Sequence, residues 1–213
     1  MSYFQVKACG ITRPQDGLTA TELGADMIGM IFYSRSPRCV TVATASRIIS
    51  MLPPTVDRVG VFVDEPVEQI VKIASRLRLD WIQLHGEGTA KNIRTLQRAG
   101  FKVIKAFSIQ DASDWEQVAR CKAELRMVDN RSLTTLGGTG TTFDWSDPPT
   151  RRIPNLALAG GISGKNLLEG VRLFAPALVD VNSSVESSPG IKSKARMLEF
   201  FKVVNRARSK TSL

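Results

Sequence analysis

Five polar residues stand at or just beyond the ends of short apolar runs: Cys9, Arg38, His85, Asp129 and Asp180. A thiol or a carboxyl group can move a proton to or from a substrate. An arginine can hold a carboxylate by two parallel hydrogen bonds. A set of this kind suits an internal proton transfer, which needs one acid and one base. The spacing of these residues is not that of metal ligands, so we predict a site without metal or organic cofactor.

Lys7 and Cys9 lie two residues apart in the first apolar run. Alternate residues of a strand point to the same face, so an inward Cys9 places Lys7 inward, one layer below. A nearby buried cation favours the thiolate and lowers the pKa of a cysteine. We therefore expect Cys9 to be a better base than an isolated thiol.

The chain alternates short runs rich in Val, Ile, Leu and Phe with longer segments whose apolar residues recur at helical spacing. The runs end near Cys9, Phe32, Val63, Leu84, Ala106, Asp129, Leu158 and Asp180. Eight strand-then-helix units are typical of an α/β protein with a single (β/α)8 TIM barrel, which we predict for residues 1–213. An open doubly wound sheet is the alternative. In a barrel the site lies at the C-terminal ends of the strands, where the polar residues fall.

Local signals predict where some helices begin and end. Thr12 and Gln15 have capping-box spacing, and Pro14 falls in the first turn of the helix that they predict. Gly24 and Gly100 each follow a helical run, where a left-handed residue ends the helix.

Small residues follow the last three apolar runs and could bind a phosphate. Gly138 belongs to a Gly-Gly-Thr-Gly stretch, Gly160 and Gly161 form a pair, and Ser183 and Ser184 follow the final run. Backbone N–H groups can approach phosphate oxygens closely where no Cβ intervenes. In barrels the loops after strands seven and eight often form such a site. The alternative is that these stretches are ordinary turns.

Composition limits the class of protein. The 213 residues are 43% hydrophobic and 23% charged, without an apolar run long enough to cross a membrane. The N-terminal residues lack the pattern of a secretory signal. Three widely spaced cysteines, Cys9, Cys39 and Cys121, favour free thiols in a reducing compartment. We expect a cytoplasmic protein with no membrane partner.

The formal net charge is +9, which could attract nucleic acid or a small anion. The basic residues are scattered and are not interleaved with aromatic residues. We therefore expect no nucleic-acid partner, and interpret the charge as attraction of a small anionic substrate.

Seven short motifs run in order along nearly the whole chain. They read KACGITR at 7–13, FY and SPR within 32–38, VGVFV at 59–63, QLHG at 83–86, GGTG and FDW within 137–145, LAGGI at 158–162, and VE and PGIK within 185–192. Together they resemble the motifs of the phosphoribosylanthranilate isomerase family.

The resemblance implies an aldose–ketose isomerase of tryptophan biosynthesis. Its substrate would be a small anionic phosphosugar, N-(5-phosphoribosyl)anthranilate, converted by an Amadori rearrangement to 1-(o-carboxyphenylamino)-1-deoxyribulose 5-phosphate. By motif match Cys9 is the general base, Asp129 is the general acid and Arg38 holds the anthranilate carboxylate. The other predicted substrate-binding residues are His85, Gly138, Gly160, Gly161, Asp180, Ser183 and Ser184. We expect no cofactor and no metal, in a monomer or homodimer.

Four positions depart from the family pattern. Ser184 stands where glycine is usual in the loop after the last strand, and a side chain there could narrow the phosphate site. Thr141 replaces a common lysine, Ala8 a larger apolar residue and Cys39 a tyrosine. None of the four removes a proposed acid or base, so we expect effects on affinity rather than on reaction type.

Two residues and the substrate leave alternatives open. His85 either contacts substrate or is a hydrogen-bonded structural histidine. Asp180 either positions Cys9 or the substrate, or satisfies the turn after the last strand. A second substrate, the aminoimidazole-carboxamide ribonucleotide of histidine biosynthesis, carries two phosphates, whereas the sequence shows one cluster of phosphate-type loops.

Overall fold

A computed structural model describes residues 3–129, 145 and 148–209 of the chain. Eight parallel strands pair in chain order and close into a barrel, because the first strand pairs with both the second and the eighth. The strands are β1 Gln5–Ala8, β2 Met27–Ile31, β3 Asp57–Val63, β4 Trp81–His85, β5 Lys102–Ser108, β6 Leu125–Asp129, β7 Leu156–Leu158 and β8 Leu178–Val181. The closed barrel confirms the predicted fold and excludes the open sheet.

Helices alternate with the strands. They are α1 Pro14–Glu22, α2 Val42–Ser50, α3 Val67–Leu77, α4 Ala90–Arg98, α5 Asp114–Arg120, α6 Leu167–Phe174 and α7 Lys194–Ser209. After β8 come a 3-10 turn, Ser183–Val185, and an antiparallel pair of short strands, β9 Glu186–Ser188 and β10 Ile191–Lys192. None of the described helices is both long and apolar enough to cross a membrane.

The strands read as continuous apolar runs because both of their faces are covered. All five residues of β2 and all five of β4 are buried. One set of side chains packs outward against the helices and includes Val6, Ile28 and Ile82. A second set fills the barrel interior and includes Met27, Val59, Trp81, Ile104, Met127 and Leu178. The barrel is therefore a packed core that leaves room for chemistry only at its ends.

The predicted strand ends agree with the structure to within two residues. Val63, Asp129 and Leu158 end their strands as predicted, whereas β5 continues from Ala106 to Ser108. Cys9, His85, Asp129 and Asp180 therefore lie within one residue of the strand ends, as the sequence predicts.

The predicted capping box at Thr12 is wrong. The residue before α1 is Arg13, which makes no side-chain cap hydrogen bond. The Thr12 hydroxyl instead donates to the carbonyl oxygen of Gly190 at 2.5 Å, joining the loop after β1 to the β9–β10 turn. Gly24 and Gly100 do have positive φ, 112° and 91°, as predicted for residues that follow helices.

Candidate active site

A cleft opens at the C-terminal ends of the strands. Its described lining comprises Arg38, Asp129, Gly160, Gly161, Ile162, Asp180, Asn182 and Ser183. Six of the residues predicted from the sequence are therefore brought together in one place. Cys9, His85 and Ser184 are not among the described lining residues, and Gly138 lies outside the described residues.

Cys9 is the first residue beyond β1 and is only 4% exposed. Its backbone N–H donates to the carbonyl oxygen of Val181 at 2.9 Å, which ties it to the end of β8. The Lys7 ammonium is fully buried on the same face of β1 and lies 2.7 Å from Asp180 Oδ1. The charge of Lys7 also acts on the Cys9 thiol, so one cation lies near both the thiol and the carboxylate.

The electrostatic balance at Cys9 differs from the prediction. Burial raises the pKa of the Cys9 thiol, the Asp180 carboxylate raises it further, and Lys7 lowers it. The net pKa is raised, so the expected lowering is wrong in its net direction. One reason is that Lys7 is paired with Asp180. Because this carboxylate compensates the charge of Lys7, the ammonium stabilises a Cys9 thiolate less than an unpaired ammonium would. The resting residue is a thiol.

Asp129 ends β6 and reaches the same cleft from a different part of the barrel wall. Its strand is separated from β1 by β7 and β8, and its own neighbour across β5 is Ser108. Asp129 and Cys9 therefore stand at separate strand ends on the same end of the barrel. Among the described residues, no group of three or more His, Cys, Asp or Glu is placed to hold a metal ion.

Arg38 lines the cleft and is held from behind by Glu186. Arg38 Nε lies 2.9 Å and Nη2 2.7 Å from the two carboxylate oxygens, a bidentate pair. Lys192 Nζ lies 3.0 Å from Glu186 and 2.9 Å from Asn182 Oδ1. Burial alone would raise the pKa of Glu186, but Arg38 and Lys192 outweigh it and hold the pKa below its ordinary value.

Sequence reasoning assigned no role to Glu186 and Lys192. Both are buried charges, 4% and 3% exposed, in the segment that follows β8. Buried charges of opposite sign are normally paired, and the VE and PGIK motifs contained that signal. Their partner Arg38 lies far away in the sequence, and no local pattern indicates it.

The Gly-Gly pair after β7 forms a sharp turn at the wall of the cleft. Gly160 and Gly161 have φ values of 75° and 70°, where a side chain would be strained. Within the described part of the chain, neither N–H group donates to a protein acceptor. Asn166 Nδ2 donates to the carbonyl oxygen of Gly161 at 3.1 Å and fixes the loop. The turn thus offers two backbone donors that an anion could accept.

Ser184 occupies the position where the sequence departs from the family pattern. It lies in the 3-10 turn, and it is not among the described residues with positive φ, so the backbone there does not require glycine. Its hydroxyl donates to the carbonyl oxygen of Ile162 at 2.5 Å. The side chain therefore joins the loops after β7 and β8 rather than filling the cleft.

His85 ends β4 and is 8% exposed. Its Nε2 lies 2.6 Å from Gln83 Nε2, a contact whose donor depends on the tautomer. Burial, followed by the charges of Lys7 and Lys105, lowers the pKa of His85 to about 3. The ring is neutral and internally paired, as expected for the structural alternative; substrate contact stays a prediction.

Comparison with known proteins agrees with the fold. Residues 6–203 match the family described as N-(5'phosphoribosyl)anthranilate (PRA) isomerase. An N-(5'-phosphoribosyl)anthranilate isomerase of Geobacter sulfurreducens is 40% identical over 199 residues, which cover 93% of this chain and 97% of that protein. The crystal structure of the Thermotoga maritima phosphoribosyl anthranilate isomerase is 36% identical, covers 96% of this chain and all of that chain, and has a TM-score of 0.88.

A further crystal structure shows a phosphoribosyl anthranilate isomerase in complex with reduced 1-(o-carboxyphenylamino)-1-deoxyribulose 5-phosphate. It is 33% identical, covers 96% of this chain and all of that chain, and has a TM-score of 0.82. On the length of the family match and the identity to these relatives, the chain belongs to the N-(5'-phosphoribosyl)anthranilate isomerase family.

Proposed function

We propose that this chain catalyses the Amadori rearrangement of N-(5-phosphoribosyl)anthranilate in tryptophan biosynthesis, with Cys9 as general base and Asp129 as general acid. The observation that carries the assignment is that Cys9, just beyond β1, and Asp129, at the end of β6, stand at the same end of the barrel, where Asp129 and Asp180 line one cleft. An internal proton transfer needs this arrangement of one acid and one base around a small substrate.

The reaction begins at the ribose ring. Asp129 protonates the ring oxygen, the C1′–O bond breaks and the ring opens to a Schiff base. The Cys9 thiolate then removes the proton from C2′, which gives an enolamine that tautomerises to the aminoketone. One proton leaves Asp129 and one arrives at Cys9, so the substrate keeps its proton count, as an isomerisation requires.

Lys7 supports the base. Cys9 rests as a thiol because burial and Asp180 raise its pKa, so only its thiolate fraction can remove the C2′ proton. The charge of Lys7 lowers the pKa of Cys9 and so stabilises that thiolate. In this role Lys7 acts through Cys9 and does not itself transfer a proton.

Arg38 would bind the anthranilate carboxylate. Glu186 already engages Nε and Nη2, so Nη1 and the remaining Nη2 proton are the donors left for substrate. A guanidinium fixed along one edge presents its other edge without losing side-chain freedom on binding. Glu186 therefore orients Arg38 and also keeps its charge partly compensated when no substrate is bound.

The phosphate would lie against the turn that contains Gly160 and Gly161. Their backbone N–H groups have no acceptor among the described residues, and Ser183 lines the same cleft. These donors suit a phosphate oxygen. Placing the phosphate here and the carboxylate at Arg38 holds both ends of the substrate, with the reacting ribose between them.

The test follows the fluorescence of phosphoribosylanthranilate generated in situ as purified protein is added. Cys9→Ala and Asp129→Asn should each lower kcat by roughly 100-fold or more, since each removes one proton-transfer group. Cys121→Ala and Asp111→Asn, which alter a half-buried thiol and an exposed carboxyl outside the cleft, are the matched controls. Turnover like wild type in either site variant would refute its role.

Substrate specificity is tested with the same preparations. The two-phosphate aminoimidazole-carboxamide ribonucleotide should not be turned over in a coupled assay, because the proposal supplies one phosphate-binding turn. Measurable turnover would require a second anion site. That the protein is a monomer or a homodimer stays a prediction.

A further inference from the structure

Gly29 lies at the centre of β2, next to the proposed base, and has no role in the proposal above. A Cβ atom at Gly29 would lie 2.9 Å from Cys9 Sγ, 3.2 Å from Cys9 Cα and 3.2 Å from Lys7 Nζ. A contact below 3.0 Å is one that real Cβ atoms essentially never make. Because Gly29 has no side chain, the Cys9 thiol and the Lys7 ammonium can lie in the space that a side chain at position 29 would need.

Backbone conformation does not require glycine at this position. Gly29 is not among the described glycines with positive φ, and an ordinary residue could adopt its extended conformation within the strand. The requirement is therefore one of space, and two of the three nearest atoms belong to functional groups, Cys9 Sγ and Lys7 Nζ.

The surrounding backbone cannot easily move away. β2 is hydrogen-bonded between β1 and β3 in the closed barrel, and Gly29 is in register with Val59. The carbonyl oxygen of Gly29 also accepts a hydrogen bond from the Ile11 N–H at 3.0 Å. Packed interiors resist added volume. A methyl group at position 29 would therefore displace the movable ends of its neighbours, the thiol of Cys9 and the ammonium of Lys7.

We infer that Gly29 is a positioning residue for the reaction, because its lack of a side chain lets the Cys9 thiol and the Lys7 ammonium lie close together beside β2. The inference rests on the proposed role of Cys9 as base. It adds that β2, which contributes no reacting group, determines where the Cys9 thiol lies. Adding one methyl group should weaken proton abstraction without altering how the carboxylate and phosphate ends of the substrate are bound.

The first experiment compares Gly29→Ala with wild type and with Gly17→Ala. Gly17 is the matched control, because its added Cβ would meet only the apolar side chains of Leu52, Ile11 and Ile48, at 3.3–3.5 Å. Gly29→Ala should lower kcat by roughly 10- to 100-fold, the effect of a misplacement of about 1 Å, with KM within about threefold of wild type. The acid limb of its kcat/KM profile should move to higher pH, because a thiolate separated from Lys7 forms less readily.

The second measurement does not need activity. Iodoacetamide alkylation of Cys9, followed by mass spectrometry against pH, reports the thiolate directly. The pH midpoint for Cys9 should be higher in Gly29→Ala than in wild type, while the midpoints for Cys39 and Cys121 stay unchanged. An unchanged Cys9 midpoint, or a wild-type kcat and acid limb, would overturn the inference.

A double-mutant cycle separates this effect from general loss of folding. If the added methyl meets Cys9 Sγ, Gly29→Ala should cost less unfolding free energy in a Cys9→Ala background than in wild type. Equal costs in the two backgrounds would refute the contact. Failure of the proposed function would show differently, as activity that survives in Cys9→Ala itself.

Discussion

Lys7 and Asp180 form a buried ion pair across two paired strands, with Lys7 Nζ 2.7 Å from Asp180 Oδ1. The two residues are directly in register where β1 meets β8, at the seam that closes the barrel. The charge of the same ammonium lowers the pKa of Cys9. One cation therefore stabilises both the Asp180 carboxylate and the thiolate that forms when Cys9 loses its proton.

Replacing Lys7 by methionine should shift the pH dependence of the reaction. Lys7 lowers the pKa of Cys9, so its loss raises that pKa further. Because the base acts as the thiolate, the acid limb of kcat/KM should move to higher pH, and kcat at pH 7 should fall. The measurement is the initial rate across pH 6–10, with Lys202→Met on the exposed face of α7 as control.

The same substitution should also affect stability. Removing one partner of a buried pair leaves an uncompensated charge, which typically costs about 3–5 kcal/mol of unfolding free energy. In urea unfolding, the double variant Lys7→Met/Asp180→Asn should lose less than the sum of the two single variants. The role given to Lys7 would be contradicted if the losses of unfolding free energy in the two single variants simply added in the double variant. It would also be contradicted if the acid limb of kcat/KM did not move in Lys7→Met.

His85 should make the folded protein sensitive to mild acid. Its pKa is lowered to about 3, from 6.5, by burial and then by Lys7 and Lys105. Between these values the unfolded chain binds a proton that the folded chain excludes, so stability is full above the unfolded pKa and is lost as pH falls. From pH 7 to pH 5 the His85 contribution should fall by about 2 kcal/mol.

The measurement for His85 is urea unfolding at both pH values, in wild type and in His85→Gln. The glutamine variant lacks a titrating ring, so it should lose less stability between pH 7 and pH 5. The difference between the two proteins removes the contribution of carboxyl groups that titrate in both. An equal loss in both proteins would show that the ring already accepts a proton in the folded state.

Arg38→Lys should weaken substrate binding more than it slows chemistry. Lysine keeps the charge but cannot hold Glu186 along one edge and a carboxylate along the other. The loss of one charged hydrogen bond predicts a KM raised by roughly tenfold or more, with a smaller change in kcat. The control is Arg35→Lys, at an exposed arginine three residues earlier. A KM like that of wild type would place the substrate carboxylate elsewhere.

Ser184→Gly, which restores the residue usual in the family, should destabilise this chain. The Ser184 hydroxyl donates to Ile162 at 2.5 Å, and its backbone does not require glycine. Loss of the hydrogen bond and the added freedom of glycine should together cost about 1–2 kcal/mol in urea unfolding. Ser187→Gly, where an exposed hydroxyl donates to Ile191 at 3.3 Å, should cost less. A stability gain at position 184 would mean that the serine is strained.

The barrel could be predicted because each of its units is a local pattern. A short apolar run followed by a helical period can be recognised without knowledge of its neighbours. Eight such units predict a barrel, and the strand ends near Cys9 and Asp129 then predict where its site lies. The register of β1 with β8 then brought Lys7 and Cys9 next to Asp180.

The features that the sequence did not indicate depend on contacts between distant segments. Glu186 holds Arg38 across 148 residues of chain, and no periodicity links the two. The spacing of Thr12 and Gln15 predicts a helix cap because a capping box is a local pattern. The Thr12 hydroxyl instead donates a hydrogen bond to the carbonyl oxygen of the distant Gly190. The pKa of Cys9 was expected to fall because Lys7 was counted, whereas burial and the charge of Asp180 decide its direction.

The closure of the barrel through β1 and β8 has a consequence during synthesis of the chain. Lys7 and Cys9 are synthesised with the first strand of the barrel, yet the carboxylate that pairs with Lys7 belongs to the last strand of the barrel. The salt bridge that fixes Arg38 comes later still, from the segment after β8. A nascent or truncated chain that has not yet formed β8 therefore contains Cys9, the proposed base, but lacks the Asp180 carboxylate that pairs with Lys7. The electrostatic surroundings of Cys9 and Arg38 are therefore complete only once β8 and the segment that follows it have been synthesised.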